Sequence, residues 1–180
     1  MHRDLKRILI TKKAIEERVI ELARQISKDY RNSNLILIGV LKGCVCLMSD
    51  LSKKLTIKHA IDFLGTSSYG QKTASSGQVR LTKDIDIDVE NKDVLLIEDI
   101  YDTGHTIKFV LDLLQSHKPK SLEILAFLNK PTKHIHKFDI KYIGFDIPNE
   151  FVVGYGLDYN EHYRNLECIG VLKDELIESA

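Results

Sequence analysis

Apolar positions along the chain fall into two alternating rhythms: short unbroken runs, and longer stretches with three-and-four spacing. Val94, Leu95, Leu96 and Ile97 form an unbroken run, the pattern of a parallel strand covered on both faces. Leu35 to Val40 (LILIGV) and Ser121 to Leu128 (SLEILAFL) repeat it. Three-and-four spacing marks Thr11 to Tyr30, where Ile15, Val19, Leu22, Ala23, Ile26 and Tyr30 share one helical face and Thr11 is placed to cap it. A second helical pattern covers Val45 to Leu55, and a third begins at Ile107 with Val110, Leu111 and Leu114. Residues 57–66 alternate through Ile57, His59, Ile61 and Phe63, which predicts a strand. Gln78 to Thr82 reads as the returning strand of a hairpin.

Between those last two strands, Thr66 to Gly77 (TSSYGQKTASSG) is small, polar and bounded by glycine, hence a loop. A linker is the plain reading of such a stretch; a lid that excludes water is the functional one. At 180 residues the chain is expected to form one domain. Apolar residues at 43% and charged ones at 29% describe an ordinary globular chain. The 26 basic and 26 acidic residues cancel, so bulk charge recommends neither nucleic acid nor an anionic membrane. Acids are concentrated locally: Asp84, Asp86, Asp88, Glu90, Asp93, Glu98, Asp99 and Asp102 face only Lys92, and the block from Asp84 to Asp93 is expected to be a solvated loop. Cys44, Cys46 and Cys168 are an odd number without metal spacing, which predicts reduced thiols in a cytosolic protein. No leader-like or membrane-length apolar segment is seen.

The chemistry is concentrated after the run at residue 94. In VLLIEDIYDTGHTIK, Glu98 and Asp99 fall at the carboxyl end of a buried strand, and Ile100 to His105 form a loop before the next helix. In an open parallel sheet that end is where ligands bind. Gly104 permits a backbone whose successive N–H groups turn towards an anion, and Thr103 and Thr106 add hydroxyl donors. Paired carboxylates beside a phosphate suit ribose hydroxyls or a hard cation such as Mg²⁺. Asp102 is a candidate general base. Separately, these features suit any helix start with an acidic loop; the whole string is more specific. EDIYDTGHT resembles the 5-phosphoribosyl 1-diphosphate (PRPP) motif of type I phosphoribosyltransferases. The resemblance implies that Glu98 and Asp99 hold ribose hydroxyls. It gives the 5-phosphate to Asp102, Thr103, Gly104, His105 and Thr106, and turns Asp102 to the base.

Three other segments join the resemblance. Leu41, Lys42 and Gly43 are similar to the family's diphosphate loop, whose amides are often exposed by a non-proline cis peptide. Ser68 and Tyr69 match the Ser-Tyr pair of its catalytic loop. GFDIPNEFVVGYGLDYNEHYRNL closely resembles the purine-binding end of hypoxanthine-guanine phosphoribosyltransferases. That likeness implies that Lys130 donates to a 6-oxo group and that Phe151 stacks on the base. Val152 and Asp158 would meet the base's 2-position side, and Arg164 the diphosphate. Asp158 would join Glu98 and Asp99 near a metal. An ammonium favours an oxo acceptor over adenine's amino group, since a donor facing a donor is left unpaired. His134 and His136 look like a metal pair only superficially, as no further ligand follows at a fitting spacing.

The resemblance runs from the LKG loop to about Val171. It implies an α/β fold of type I phosphoribosyltransferase kind: a mostly parallel central sheet of four or five strands between helices, with a small hood formed partly by about 130–180 and the N-terminal residues. It implies a Mg²⁺-dependent purine-salvage transferase acting on PRPP and hypoxanthine or guanine, yielding IMP or GMP and diphosphate, in a homodimer or homotetramer. Two rivals share parts of the pattern. Pyrimidine-operon attenuators bind RNA, against which the zero net charge and the tail count. Transferases for xanthine, adenine or uracil are the other; Lys130 with the LDY segment argues against adenine and uracil, while xanthine stays open.

Overall fold

The computed structural model describes residues 3–68 and 79–178. Its centre is a six-stranded sheet in the order β4-β3-β2-β5-β6-β7. The strands are β2 (Leu35–Leu41), β3 (His59–Ser68), β4 (Val79–Lys83), β5 (Asp93–Tyr101), β6 (Ser121–Asn129) and β7 (Tyr142–Asp146). Five of them run parallel, and β4 alone is antiparallel, returning from β3 as a hairpin. The unbroken apolar runs occupy the middle: Leu37, Ile38, Leu95, Leu96, Ile97 and Leu125 are wholly buried because helices cover both faces. On one face lie α1 (Lys12–Asp29) and α2 (Val45–Lys54); on the other lies α3 (His105–Ser116). Thr11 caps α1, its hydroxyl accepting from Ala14 N at 3.3 Å, and Ile15, Val19, Leu22, Ala23 and Ile26 form the buried stripe as spaced.

A second, three-stranded sheet joins the distant ends of the chain in the order β1-β9-β8. It comprises β1 (Leu5–Ile10), β8 (Val152–Val153) and β9 (Ile169–Leu172), all antiparallel, followed by α4 (Asp174–Glu178). None of these elements was predicted. β1 reads LKRILI, with a buried residue only at each end, so its pattern is not that of a core strand; its partner lies more than 150 residues away.

Three expectations change. The strand at 94–97 extends to Tyr101 because pairing with β6 continues to Tyr101↔Asn129, and the loop shrinks to Asp102–Gly104 with the helix starting at His105. In β3 the buried face is opposite to the one the alternation marks: Ile61 is exposed, whereas Asp62 and Leu64 are buried. The reason is polar, since the Asp62 carboxylate accepts from the backbone N–H groups of Phe63, Asp86 and Ile87 and so pins the loop after β4. Asp93, read as part of a solvated loop, is also buried, accepting from the Ser121 hydroxyl at 2.7 Å and pairing with Lys120.

Candidate active site

The carboxyl ends of β2 and β5 open onto a cavity of about 270 Å³, lined on one side by Leu41, Lys42 and Gly43 and on the other by Asp102, Thr103, Gly104 and Thr106. Gly104 has φ +88°, a left-handed conformation suited to glycine, and begins α3 directly. The turn therefore presents the first N–H groups of a helix to the cavity, where an anion meets free donors and the positive end of the helix dipole. His105 does not line this cavity. Its imidazole turns outward, with Nδ1 3.1 Å from Nε2 of His136, so only its backbone is available to the loop.

The Leu41–Lys42 peptide is cis, as the resemblance implied. Gly43 lies so close to Asp99 that a Cβ there would fall 1.6 Å from Oδ2, and Gly156, at φ +101°, sits against Gly43 O with a notional Cβ at 2.0 Å. The loop is thus held between an acid and a tight turn that only glycine permits. Arg164 reaches in from above: it donates to Gly156 O at 2.8 Å and pairs with Asp158 at 2.8 Å and Glu161 at 3.2 Å. Glu161 also holds the exposed Lys42 ammonium at 2.9 Å.

Glu98 and Asp99 form the floor. Burial pushes both carboxyls up: Glu98 well above the usual range with help from its acidic neighbour, and Asp99 to about 6, the latter opposed by the Ile100 N–H and by Arg164. Glu98 Oε2 is buried without a hydrogen-bond partner. A buried acid beside a half-buried one, with Asp158 close by, forms a carboxylate donor set that, among the described residues, only Arg164 offsets. Mg²⁺ is held by one or two carboxylates together with substrate phosphates rather than by a full protein cage. The residues fit that mode. Among the described residues no group of three or more His, Cys, Asp or Glu is arranged to hold a metal unaided.

A second cavity of about 440 Å³ adjoins the first and is lined by Lys130, Phe151 and Val152, with Asp99, Ile100, Asp102 and Asp158 common to both. Lys130 is only 7% exposed, and its ammonium lies 3.0 Å from Asp102 Oδ2. Phe151 offers an exposed ring braced edge-on by Tyr159, with centroids 5.5 Å apart. The predicted base-facing residues therefore converge on one cavity, although they come from three separate segments. Ser68 ends β3, its side chain lying outside the description; Tyr69 lies outside the described residues. Sequence reasoning missed Ile100, which lines both cavities, and Glu150, which lines the second while its carboxylate is clamped by Arg7 of β1. Their alternation along the strand could have pointed to Ile100; nothing local pointed to the Arg7 clamp.

A parallel sheet whose strand ends hold a helix-start anion loop, paired acids and a neighbouring aromatic-and-lysine cavity defines a phosphoribosyltransferase. The phosphoribosyl transferase domain model matches residues 8–160. A hypoxanthine-guanine phosphoribosyltransferase of Staphylococcus aureus is 49% identical over 98% of both chains. A crystal structure of a hypoxanthine phosphoribosyltransferase from S. aureus superposes with a TM-score of 0.92, covering 98% of this chain and 96% of that one at 49% identity. One of a hypoxanthine phosphoribosyl transferase from Trypanosoma cruzi does so with a TM-score of 0.92 at 35% identity, covering 99% and 97%. The chain belongs to the hypoxanthine-guanine phosphoribosyltransferase family.

Proposed function

We propose that the chain transfers the 5-phosphoribosyl group of PRPP to N9 of hypoxanthine or guanine, releasing diphosphate and forming IMP or GMP. The observation that carries this reading is the pairing of buried Lys130 with the half-exposed Asp102 carboxylate, at 3.0 Å where the two cavities join. An ammonium fixed there selects a 6-oxo acceptor, and the carboxylate beside it stands where a base nitrogen would present its proton.

The 5-phosphate is received by the backbone N–H groups from Asp102 to Thr106, Gly104 and His105 included, with the Thr103 and Thr106 hydroxyls. Leu41, Lys42, Gly43 and Arg164 receive the diphosphate, and Glu98 and Asp99 orient the ribose. Phe151 supplies the stacking face, while Val152 and Asp158 meet the 2-position side of the purine. In the reaction the bond from C1′ to diphosphate oxygen breaks, its electron pair leaving on diphosphate. The N9 lone pair forms the new bond, and the N7 proton passes to the Asp102 carboxylate. Ser68 and Tyr69 belong to the segment that excludes water from the cation-like ribose. Glu98, Asp99 and Asp158 would hold Mg²⁺, whose chemistry when bound is to neutralise charge on the diphosphate.

The whole chain, 1–180, is read as one domain with a hood formed partly by about 130–180 and the N-terminal residues, a reading supported by the pairing of β1 with β9 and by Val152 of β8, which lines the second cavity. The assembly is read as a homodimer or homotetramer, and its compartment as the cytoplasm, where thiols such as the three free ones here stay reduced. The test is diphosphate release from PRPP and Mg²⁺ with hypoxanthine, guanine, xanthine, adenine and uracil in turn. Release with hypoxanthine or guanine, lost without Mg²⁺, is expected; release only with another base, or with none, overturns the reading.

A further inference from the structure

The segment that follows Lys130 has no part in the chemistry above, yet it is bonded to the anion loop at several points. Ile135 N and His136 N both donate to Thr103 O, at 3.0 and 3.1 Å. The Tyr101 hydroxyl donates to His136 O at 2.6 Å and accepts from Phe138 N at 3.3 Å. His134 stacks on the Tyr101 ring, with centroids 3.6 Å apart and planes at 9°. His136 Nε2 then meets His105 Nδ1 at 3.1 Å. A Cβ on Gly104 would lie 3.0 Å from His136 O, so the segment is in contact with the back of the loop at its tightest residue.

We infer that the His136 side chain is a positioning residue for the 5-phosphate, acting through the imidazole of His105 while its backbone N–H holds the Thr103 carbonyl; the inference rests on the phosphate loop proposed above. Thr103 and His105 flank Gly104, the residue whose left-handed φ aims the N–H groups. Anchoring both neighbours from behind fixes the direction of those donors before any ligand arrives. A loop ordered in advance binds more tightly because less freedom is lost on binding. His136 touches neither cavity, so its effect must travel through the loop. One imidazole of the pair must donate and the other accept. A glutamine offers both capacities and can replace either tautomer, whereas alanine offers neither.

The segment is also anchored at its other end. Lys130 N donates to Tyr101 O at 3.0 Å, and Lys133 N to Lys130 O at 3.0 Å. The residue proposed to read the base and the loop proposed to hold the phosphate are therefore connected by one short stretch of backbone.

The experiment compares His136→Ala, His136→Gln, His105→Ala and the His105→Ala/His136→Ala double variant with the unaltered chain, following diphosphate release and, by calorimetry, inorganic phosphate binding. His136→Ala is expected to raise the KM for PRPP about tenfold and weaken phosphate binding equally, with kcat changed less than twofold and the KM for hypoxanthine unmoved. His136→Gln should restore most of the loss, and the double variant should be no worse than His136→Ala. An unchanged PRPP KM in His136→Ala overturns the inference. So does an equal rise in both KM values with a lowered Tm, the mark of a merely structural role. If the unaltered chain releases diphosphate with no base, the proposed activity fails. Phosphate binding then still decides on His136: equal affinity in both proteins overturns its role.

Discussion

Lys130 and Asp102 meet at 3.0 Å one residue beyond the paired ends of neighbouring parallel strands, β6 and β5. Register produces the pair. Tyr101 lies opposite Asn129, so the next residue of each strand leaves the sheet on the same side, and acid and base are delivered together. Substituting Asp102 by Asn keeps the shape but removes the proposed proton acceptor. Turnover should fall roughly 10²–10⁴-fold, as for a lost general base, while PRPP affinity changes little. Steady-state kinetics beside equilibrium binding of PRPP will check this, and turnover within a few-fold of the original would remove Asp102 from the proton transfer.

Replacing Lys130 by Met keeps length and volume and deletes the charge. A hydrogen bond from a charged donor is worth about 1.5–3 kcal/mol, so IMP and GMP affinity should drop roughly 10- to 150-fold. PRPP alone should bind nearly as before. Calorimetric titration with each ligand separates the two effects.

The acids on the floor make a prediction about pH. Asp99 is pushed up to about 6, chiefly by burial, so its folded pKa lies above the ordinary carboxylate value of about 3.9. The unfolded chain then releases the proton more readily, and stability is lost as pH rises from about 4 to about 6. The two-unit gap amounts to at most about 3 kcal/mol. Asp99→Asn should therefore raise Tm at pH 8 by about 5 °C, with the gain vanishing near pH 4. Thermal melts across that range, without Mg²⁺ or ligand, test it; a lower Tm for the variant at pH 8 would contradict it. Activity should move oppositely, since the same carboxylate is proposed to hold the ribose.

Much of this architecture was legible in the chain, and the exceptions share a cause. Unbroken apolar runs located β2, β5 and β6 because both of their faces are covered, and burial of that kind is written locally. β1 and β9 escaped because their stability comes from pairing across the length of the chain, which leaves no periodic trace in a segment such as LKRILI. Asp62 and Asp93 misled for a related reason: each is an acid kept inside by hydrogen bonds from residues remote in sequence. At the site, a loop between strand and helix was readable from residue type and order, though expected at Ile100 to His105 rather than Asp102–Gly104. The outward turn of His105 was not, since it depends on His136, whose position follows from the path of an irregular segment.

Gly43 offers a test of close fit. Adding one methyl group there places it 1.6 Å from Asp99 Oδ2, so either the acid or the loop must move. Displacement by about 1 Å can cost roughly 10²-fold in rate. Gly43→Ala should therefore lose activity of that order while binding of GMP, which lacks the diphosphate, is reduced much less. Equal activity in the two proteins would show that the loop and acid are looser than their contact indicates.

The order of the small sheet sets the order in which the two cavities can come into being. The strands and helix that carry the anion loop have been synthesised by the end of β6, but its backing at Ile135 and His136 follows later, Phe151 O receives its hydrogen bond from Leu172 N, and β8 pairs only with β9. On a ribosome, the framework of the first cavity therefore emerges well before the small sheet that borders the second can close.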